Sequence, residues 1–189
     1  MGWKLTGIVI NKSYDKNIIG LFDLLDILDF DLVKDSTFEE ETSQILENDK
    51  LSIGFFGSGT FLSTGIELMT NEEVLKKASS NQNLLAFYVN ETTSTYCFDY
   101  FSNGQYLRRK WISYSDNNID SNSNFGDKIQ IEKNEEDDME IIFKLIGQLL
   151  GKGFYEIDEG EQMFCFTKNV NSNRVNLKQG KGFWKKFFG

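Results

Sequence analysis

The chain has 189 residues, 40% of them hydrophobic, with 20 Lys plus Arg against 29 Asp plus Glu, a net charge of −9, and neither His nor Pro. Without imidazole there is no Ser-His-Asp or Cys-His catalysis, no histidine-ligated zinc and no histidine pH switch. The acidic balance repels phosphate backbones, so nucleic acid is not an expected partner.

At ~100–200 residues per domain the length predicts one globular domain, and 17 Phe, 7 Tyr and 3 Trp supply bulk for its core. The charge is unevenly placed. The last acid is Glu161, and from Lys168 onward come Arg174, Lys178, Lys181, Lys185 and Lys186 with no anion. That leaves the body with 14 Lys plus Arg against all 29 acids. Such asymmetry marks a separate interaction segment. The expected organisation is a domain over 1–168, a polar linker over 169–180 and a basic, aromatic tail over 181–189.

In chain order, residues 3–10 read as a strand; their short apolar run lacks the pattern of a signal peptide. No stretch reaches the ~18 apolar residues of a membrane span. A cytoplasmic protein is therefore expected, peripheral on the inner face of the membrane if the tail binds lipid. Residues 17–29 predict a helix with Ile18, Phe22, Leu25 and Leu28 inward and Asp23 and Asp26 on one face. An acidic segment follows, with Ser36 or Thr37 as N-cap of a short helix 37–47. Strands are expected at 51–56 and 60–63, and Thr70 to Glu73 resembles a capping box starting a helix over 71–79.

The clearest local signal is a β-hairpin: Thr95–Ser102, then Asn103-Gly104, then Gln105–Ser113, joined by the dipeptide suited to a type I′ turn. Counting outward from Ser102 opposite Gln105 pairs Asp99 with Arg108 and Tyr96 with Trp111. Leu84–Val89 adds a third antiparallel strand. Residues 115–128 form an Asn/Ser/Asp-rich loop, and Ile129–Glu132 reads as a short strand. Asn134 and four acids cap a helix running to Leu150, with Met139, Ile142, Phe143, Ile146 and Leu149 as its core stripe and Gly151-Lys-Gly153 as its stop. Phe154–Ile157 and Met163–Thr167 are expected to form a last hairpin. The fold class is thus α+β: an antiparallel or mixed sheet with a central Asn-Gly hairpin, packed by several amphipathic helices.

The Met1-Gly-Trp-Lys opening, the strand Gly104–Ser113 and the closing elements 139–167 together resemble an uncharacterised family of bacterial proteins that open Met-Gly-x-Lys-Thr, with Leu5 in place of the Thr. The resemblance spans about 1–168 and implies a bacterial α+β domain without implying a reaction.

Several constellations invite chemistry. Asp23, Asp26, Asp29 and Asp31 could cluster around a divalent cation, but acids spaced along an amphipathic helix are more often its solvated face. Gly54-Phe-Phe-Gly57-Ser-Gly59 lacks the lysine of a phosphate loop and reads as a tight connection. Asp116, Asp120 and Asp127 do not match a calcium loop, and Asp158, Glu159 and Glu161 read as turn residues. Cys97 and Cys165, far apart in strand-like runs, read as small buried hydrophobes. Arg108 and Lys110 should lie on the opposite strand face from Arg109 and Trp111; Arg109 beside Trp111 could hold an anion or stack on a ring, but partnering one of the body's excess acids is the preferred reading. No catalytic residue, metal site or cofactor is assigned.

Two functions compete for the body: a non-enzymatic interaction or regulatory protein, immunity- or adaptor-like, that takes a basic protein partner; and a carboxylate-based enzyme, with or without a metal, whose tail docks a protein. The first is preferred, because it accounts for both the charge and the missing triads. Buried carboxylates converging in one pocket would favour the enzyme, and dispersed acids the binder.

The candidate binding residues are in the tail. Wound at roughly 100° per residue, Phe183, Trp184, Phe187 and Phe188 cover an arc of about 140°, with Lys185 and Lys186 opposite and Lys181 preceding them. That is the layout of an interfacial anchor for an anionic membrane surface, with a protein groove or the body itself as alternative docks. Lys181-Gly-Phe183 and the basic, aromatic residues after it resemble the MinD-type membrane-targeting sequence of bacterial division-site ATPases.

Overall fold

The computed structural model describes residues 2–114 and 123–169. In chain order the elements are β1 (Lys4–Ile10), α1 (Ile18–Leu24), β2 (Phe30–Thr37), α2 (Phe38–Thr42), β3 (Lys50–Phe56), β4 (Gly59–Thr64), α3 (Ile66–Met69), α4 (Glu72–Ala78), β5 (Asn83–Asn90), β6 (Thr95–Ser102), β7 (Gln105–Ser113), β8 (Ser123–Phe125), α5 (Gln130–Asn134), α6 (Asp138–Leu150) and β9 (Gln162–Lys168). The nine strands form one sheet in the order β2-β9-β3-β4-β1-β5-β6-β7-β8. Every pairing is antiparallel, so the α+β expectation holds with the sheet as the dominant element.

Helices on both faces explain why the middle strands lack a polar side. In β1, Leu5 and Val9 join a core built around α6, and Ile8 and Ile10 join a second core with α1 residues such as Leu21 and Phe22. Both alternate positions are therefore apolar. The stripe assigned to α6 is buried at Ile142, Phe143, Ile146 and Leu149, Met139 packs partly against it, and Ile141, Leu145 and Leu150 widen it. Asp137, not Asn134, caps α6 by accepting from the Glu140 amide at 2.9 Å, and Gly151 ends it at φ 69°. Phe143 stacks on Phe154 with centroids 4.1 Å apart, and Trp3 meets both edge-on at 5.5 and 5.4 Å. The opening Gly-Trp-Lys is thus tied to the closing elements by aromatic packing.

Four expectations are corrected. The helix predicted over 17–29 stops at Leu24, and residues 30–37 are an edge strand. Asn71, not Thr70, caps α4 through the Val74 amide at 3.3 Å. Ile129–Glu132 is not a strand, because Glu132 turns back to accept from the Ile129 amide at 3.1 Å and opens α5. The last hairpin does not form. Residues 154–156 are a 3₁₀ turn, and β9 inserts between β2 and β3, strands more than a hundred residues earlier. The 95–113 hairpin is present, with Asn103 at φ 51° and Gly104 at φ 75° as a type I′ turn requires. It lies toward the β8 side of the sheet, however, and β1 occupies the centre. Of the loop expected at 115–128, residues 115–122 lie outside the described residues.

Candidate functional site

The hairpin carries the body's basic cluster, and a bulge decides its pairing. Phe101 faces Tyr106 but Tyr100 faces Arg108, so Leu107 is an extra residue and every later pair moves by one. Asp99 consequently lies opposite Arg109, not Arg108, and Tyr96 lies opposite Ile112, not Trp111. The charge pair foreseen from the turn exists, with a different arginine.

The alternation of side chains beyond the bulge is as expected, and it sends the three cations to different acids. Arg109 grips Asp99 with Nε at 2.9 Å and Nη2 at 3.0 Å. Its guanidinium also stacks over the rings of Trp111 and Tyr106, 4.5 and 5.2 Å from their centroids. Asp99 further accepts from Tyr106 Oη at 2.7 Å and Trp111 Nε1 at 3.0 Å. Burial, and the bond to Asp99, push the Tyr106 phenol well above its usual range.

On the other face, Arg108 is 1% exposed and makes a two-pronged pair with Glu132, Nε to Oε2 at 2.8 Å and Nη2 to Oε1 at 2.6 Å. Its Nη1 faces Asn124 Oδ1 and the carbonyls of Phe125 and Gly126 at 3.0 and 3.1 Å. One guanidinium thereby joins β7, β8 and α5. Lys110 meets Asp138 of α6 at 2.5 Å, and Tyr114 Oη donates to the same carboxylate at 2.7 Å.

A fourth buried carboxylate, Glu41 of α2, sits across the sheet from these. It accepts from Ser36 Oγ at 2.6 Å and Ser52 Oγ at 2.5 Å, and Ser52 Oγ in turn lies 3.3 Å from Cys165 Sγ. Burial opposes the charge of Glu41, but the two hydroxyls, the thiol and Lys34 together outweigh it and hold its carboxyl below the ordinary 4.5. Both cysteines are free and buried, as expected. Burial pushes the Cys97 thiol up to about 11 and raises that of Cys165, so neither is a thiolate near neutrality.

The buried acids therefore do not converge. Asp99 faces one side of the sheet, Glu132 and Asp138 hold the α5 and α6 side near β7, and Glu41 lies below β3 and β9. Among the described residues no group of three or more Cys, Asp or Glu is placed to hold a metal ion. Asp29 pairs with Lys168 at 3.5 Å and Asp31 accepts from Asn169 Nδ2 at 2.8 Å. The Gly54–Gly59 segment is the tight β3–β4 hairpin. A Cβ on Gly57, at φ 57°, would lie 2.3 Å from the Leu150 carbonyl oxygen, which explains the glycine there without a phosphate. Of the loop aspartates, Asp127 is exposed, and Asp116 and Asp120 lie outside the described residues. Glu161 pairs with Lys152. A shallow open depression of about 490 Å³ is floored by Phe55, Phe56 and Phe164 and rimmed by Asp15, Lys16 and Glu161.

These carboxylates imply a pH profile. Burial disfavours the charged form of Glu132 too, but Arg108 and the Ile129 amide more than offset it, so its carboxyl also titrates below 4.5. A depressed folded pKa contributes stability above the unfolded value and loses it as pH falls through the folded value. Without His, unfolding free energy should be nearly flat from about pH 5.5 to 8 and fall below about pH 4.5. Denaturant melts across pH 3–8 measure this, and a loss centred near pH 6 would contradict it.

The feature that the linear sequence hid is the β2 edge. Residues 23–49 hold ten acids and one lysine, and the fold places this stretch along the outermost strand and its flanks. Asp26, Asp31, Asp35 and Glu39 are exposed there, beside Val33 at 63% exposure. A running charge count would have found the stretch; its position at an edge needed the topology. β9 ends beside it, with the Asn169 amide donating to the Asp29 carbonyl at 2.7 Å. The described part of the chain thus ends at Asn169, beside this acidic edge. All seven candidate binding residues, Lys181, Phe183, Trp184, Lys185, Lys186, Phe187 and Phe188, lie outside the described residues. Compared with known proteins, the chain matches no family model, no curated protein and no solved structure.

Proposed function

We propose that the chain is a non-enzymatic bacterial interaction or regulatory protein, immunity- or adaptor-like, whose acidic body is brought to an anionic membrane surface by its C-terminal segment. The observation that carries this is the division of charge: all 29 acids lie before residue 162, and the last 22 residues carry six cations and no anion. Dispersed, individually partnered carboxylates support a binding role for the body over a shared catalytic centre. The likeness of the tail to the MinD-type sequence supports the membrane part of this reading.

The strength of the anchor follows from magnitudes. Four aromatic side chains contribute ~1.5–3 kcal/mol each and three lysines ~1 kcal/mol each near an anionic surface. Ordering eight or so residues costs ~1–2 kcal/mol apiece, which offsets most of that gain. Binding by one tail is therefore weak, reversible and sensitive to salt. In flotation with anionic vesicles at low salt, the full chain is expected to rise with the lipid, and Trp184→Glu with Phe187→Glu to remain below. An intact chain that stays in solution would end the anchor reading and direct attention to a protein groove as the tail's target.

A further inference from the structure

We infer that the open edge of β2 is a docking site for the chain's own C-terminal segment, residues 170–189, so that the body and the membrane compete for the tail. The inference rests on the reading of that segment as a binding element. Three observations support it.

The first is the edge. β2 ends the sheet and has no neighbouring strand on its outer side among the described residues. Its pairing with β9 is interrupted by a bulge at Val33, which turns an apolar side chain outward among acids. Lys34, the one cation of the strand, is already directed at Glu40 and Glu41, at 3.9 and 4.0 Å.

The second is the tether. Lys168 lies opposite Phe30, the first residue of β2, and both Lys168 and Asn169 are fastened to Asp29. From that root the chain advances at most ~3.3–3.6 Å per residue. Arg174 is thus within about 18 Å of the root and Lys178 within about 32 Å. The eight residues of β2 span ~26 Å. Every tail cation can reach an acid of the edge without leaving the same side of the molecule.

The third is the complementarity of the two partners. The edge carries a local excess of exposed carboxylates over cations, and the segment carries five cations and no anion beyond residue 169. A short tether turns this attraction into an intramolecular one, at effective concentrations in the millimolar range. An anionic surface presents the same chemistry at higher charge density, so lipid displaces the edge and frees the aromatic face in one step. The tail is then held by the body in solution and released at the membrane, and its apparent affinity for lipid is reduced by the fraction that remains docked.

Zero-length carbodiimide coupling on the full chain, followed by peptide mass spectrometry of the monomer, tests this directly. Amide links are expected between Lys178, Lys181, Lys185 or Lys186 and Asp26, Asp31, Asp35 or Glu39. They should fall severalfold when vesicles of equal parts phosphatidylglycerol and phosphatidylcholine are added. A variant neutralised at the edge (Asp26→Asn, Asp31→Asn, Asp35→Asn, Glu39→Gln) should bind those vesicles about tenfold more tightly if nine tails in ten are docked. The control is a variant neutralised as heavily elsewhere (Glu67→Gln, Glu73→Gln, Asp127→Asn, Glu136→Gln), which should gain far less. Links found only in a dimer band, links spread evenly over all exposed acids, or equal gains in the two variants would each overturn the inference. Links confined to the edge in a protein that never binds vesicles would leave the docking in place and remove the membrane reading instead.

Discussion

Glu132→Gln is expected to lower the unfolding free energy by about 3–5 kcal/mol, because it leaves a guanidinium buried without its counter-charge. Both side chains of the Arg108–Glu132 pair are 1% exposed, so water cannot replace the lost carboxylate. The effect should be far from additive. Arg108→Met with Glu132→Leu removes both charges and fills similar volume, and such exchanges are often close to neutral. Recovery will be incomplete, because Arg108 also holds the carbonyls of Phe125 and Gly126; these residues are exposed, and water can take over part of that role. The double variant should therefore sit within about 2 kcal/mol of the parent and well above either single change. Amide exchange gives an independent readout: residues 123–134 should lose protection in Glu132→Gln before the rest of the sheet does. A single variant within about 1 kcal/mol of the parent in denaturant melts would show that this pair does not anchor the segment.

The buried pair also shows where sequence reasoning stops. Alternation along β7 foretold that Arg108 and Lys110 share a face and that Arg109 takes the other, because side-chain period in a strand is a local property. The actual partners of Arg108 and Lys110 were invisible, since Glu132 and Asp138 belong to helices that only the fold brings over β7. Elements with strong local signals were legible: the Asn-Gly turn, the β3–β4 hairpin, the stripe of α6. β2 was missed because an edge strand needs only one apolar row, and the bulge at Val33 breaks even that row after Phe30 and Leu32. The hairpin expected at 154–167 failed for the complementary reason. Two short apolar runs near a Gly-containing turn suggest local pairing, yet β9 gains two neighbours by inserting between β2 and β3, and pairing over such separations leaves no mark in spacing.

The candidate site divides in the same way. The spacing of Phe183, Trp184, Phe187 and Phe188, and the cations before and between them, can be read from consecutive residues. The acidic field that faces the root of that segment comes from residues 23–49 laid along an edge, and it required the strand order to be seen as one surface.

Asp99→Ala should cost about 2–4 kcal/mol, less than a fully buried pair because Arg109 is 27% exposed on its side chain and can recover some solvation. The loss has several parts, since Asp99 satisfies Tyr106, Arg109 and Trp111 at once, and removing a shared acceptor leaves each donor short. The bulge at Leu107 makes the position of the coupling a sharp test. A double-mutant cycle between Asp99→Ala and Arg109→Met should give an interaction energy of about 1–3 kcal/mol. The same cycle with Arg108→Met should be additive within about 0.5 kcal/mol, because Arg108 points through the opposite face of the sheet to Glu132. Exchanging the charges, Asp99→Arg with Arg109→Asp, should restore part of what either reversal loses, whereas Asp99→Arg with Arg108→Asp should be worse than both of its components. Trp111 reports locally: the loss of its indole bond to Asp99, at 3.0 Å, should shift its emission in Asp99→Ala and leave it unchanged in Arg108→Met. Stronger coupling of Asp99 to Arg108 than to Arg109 would mean that the strands pair in the register counted straight from the turn, with no extra residue at Leu107.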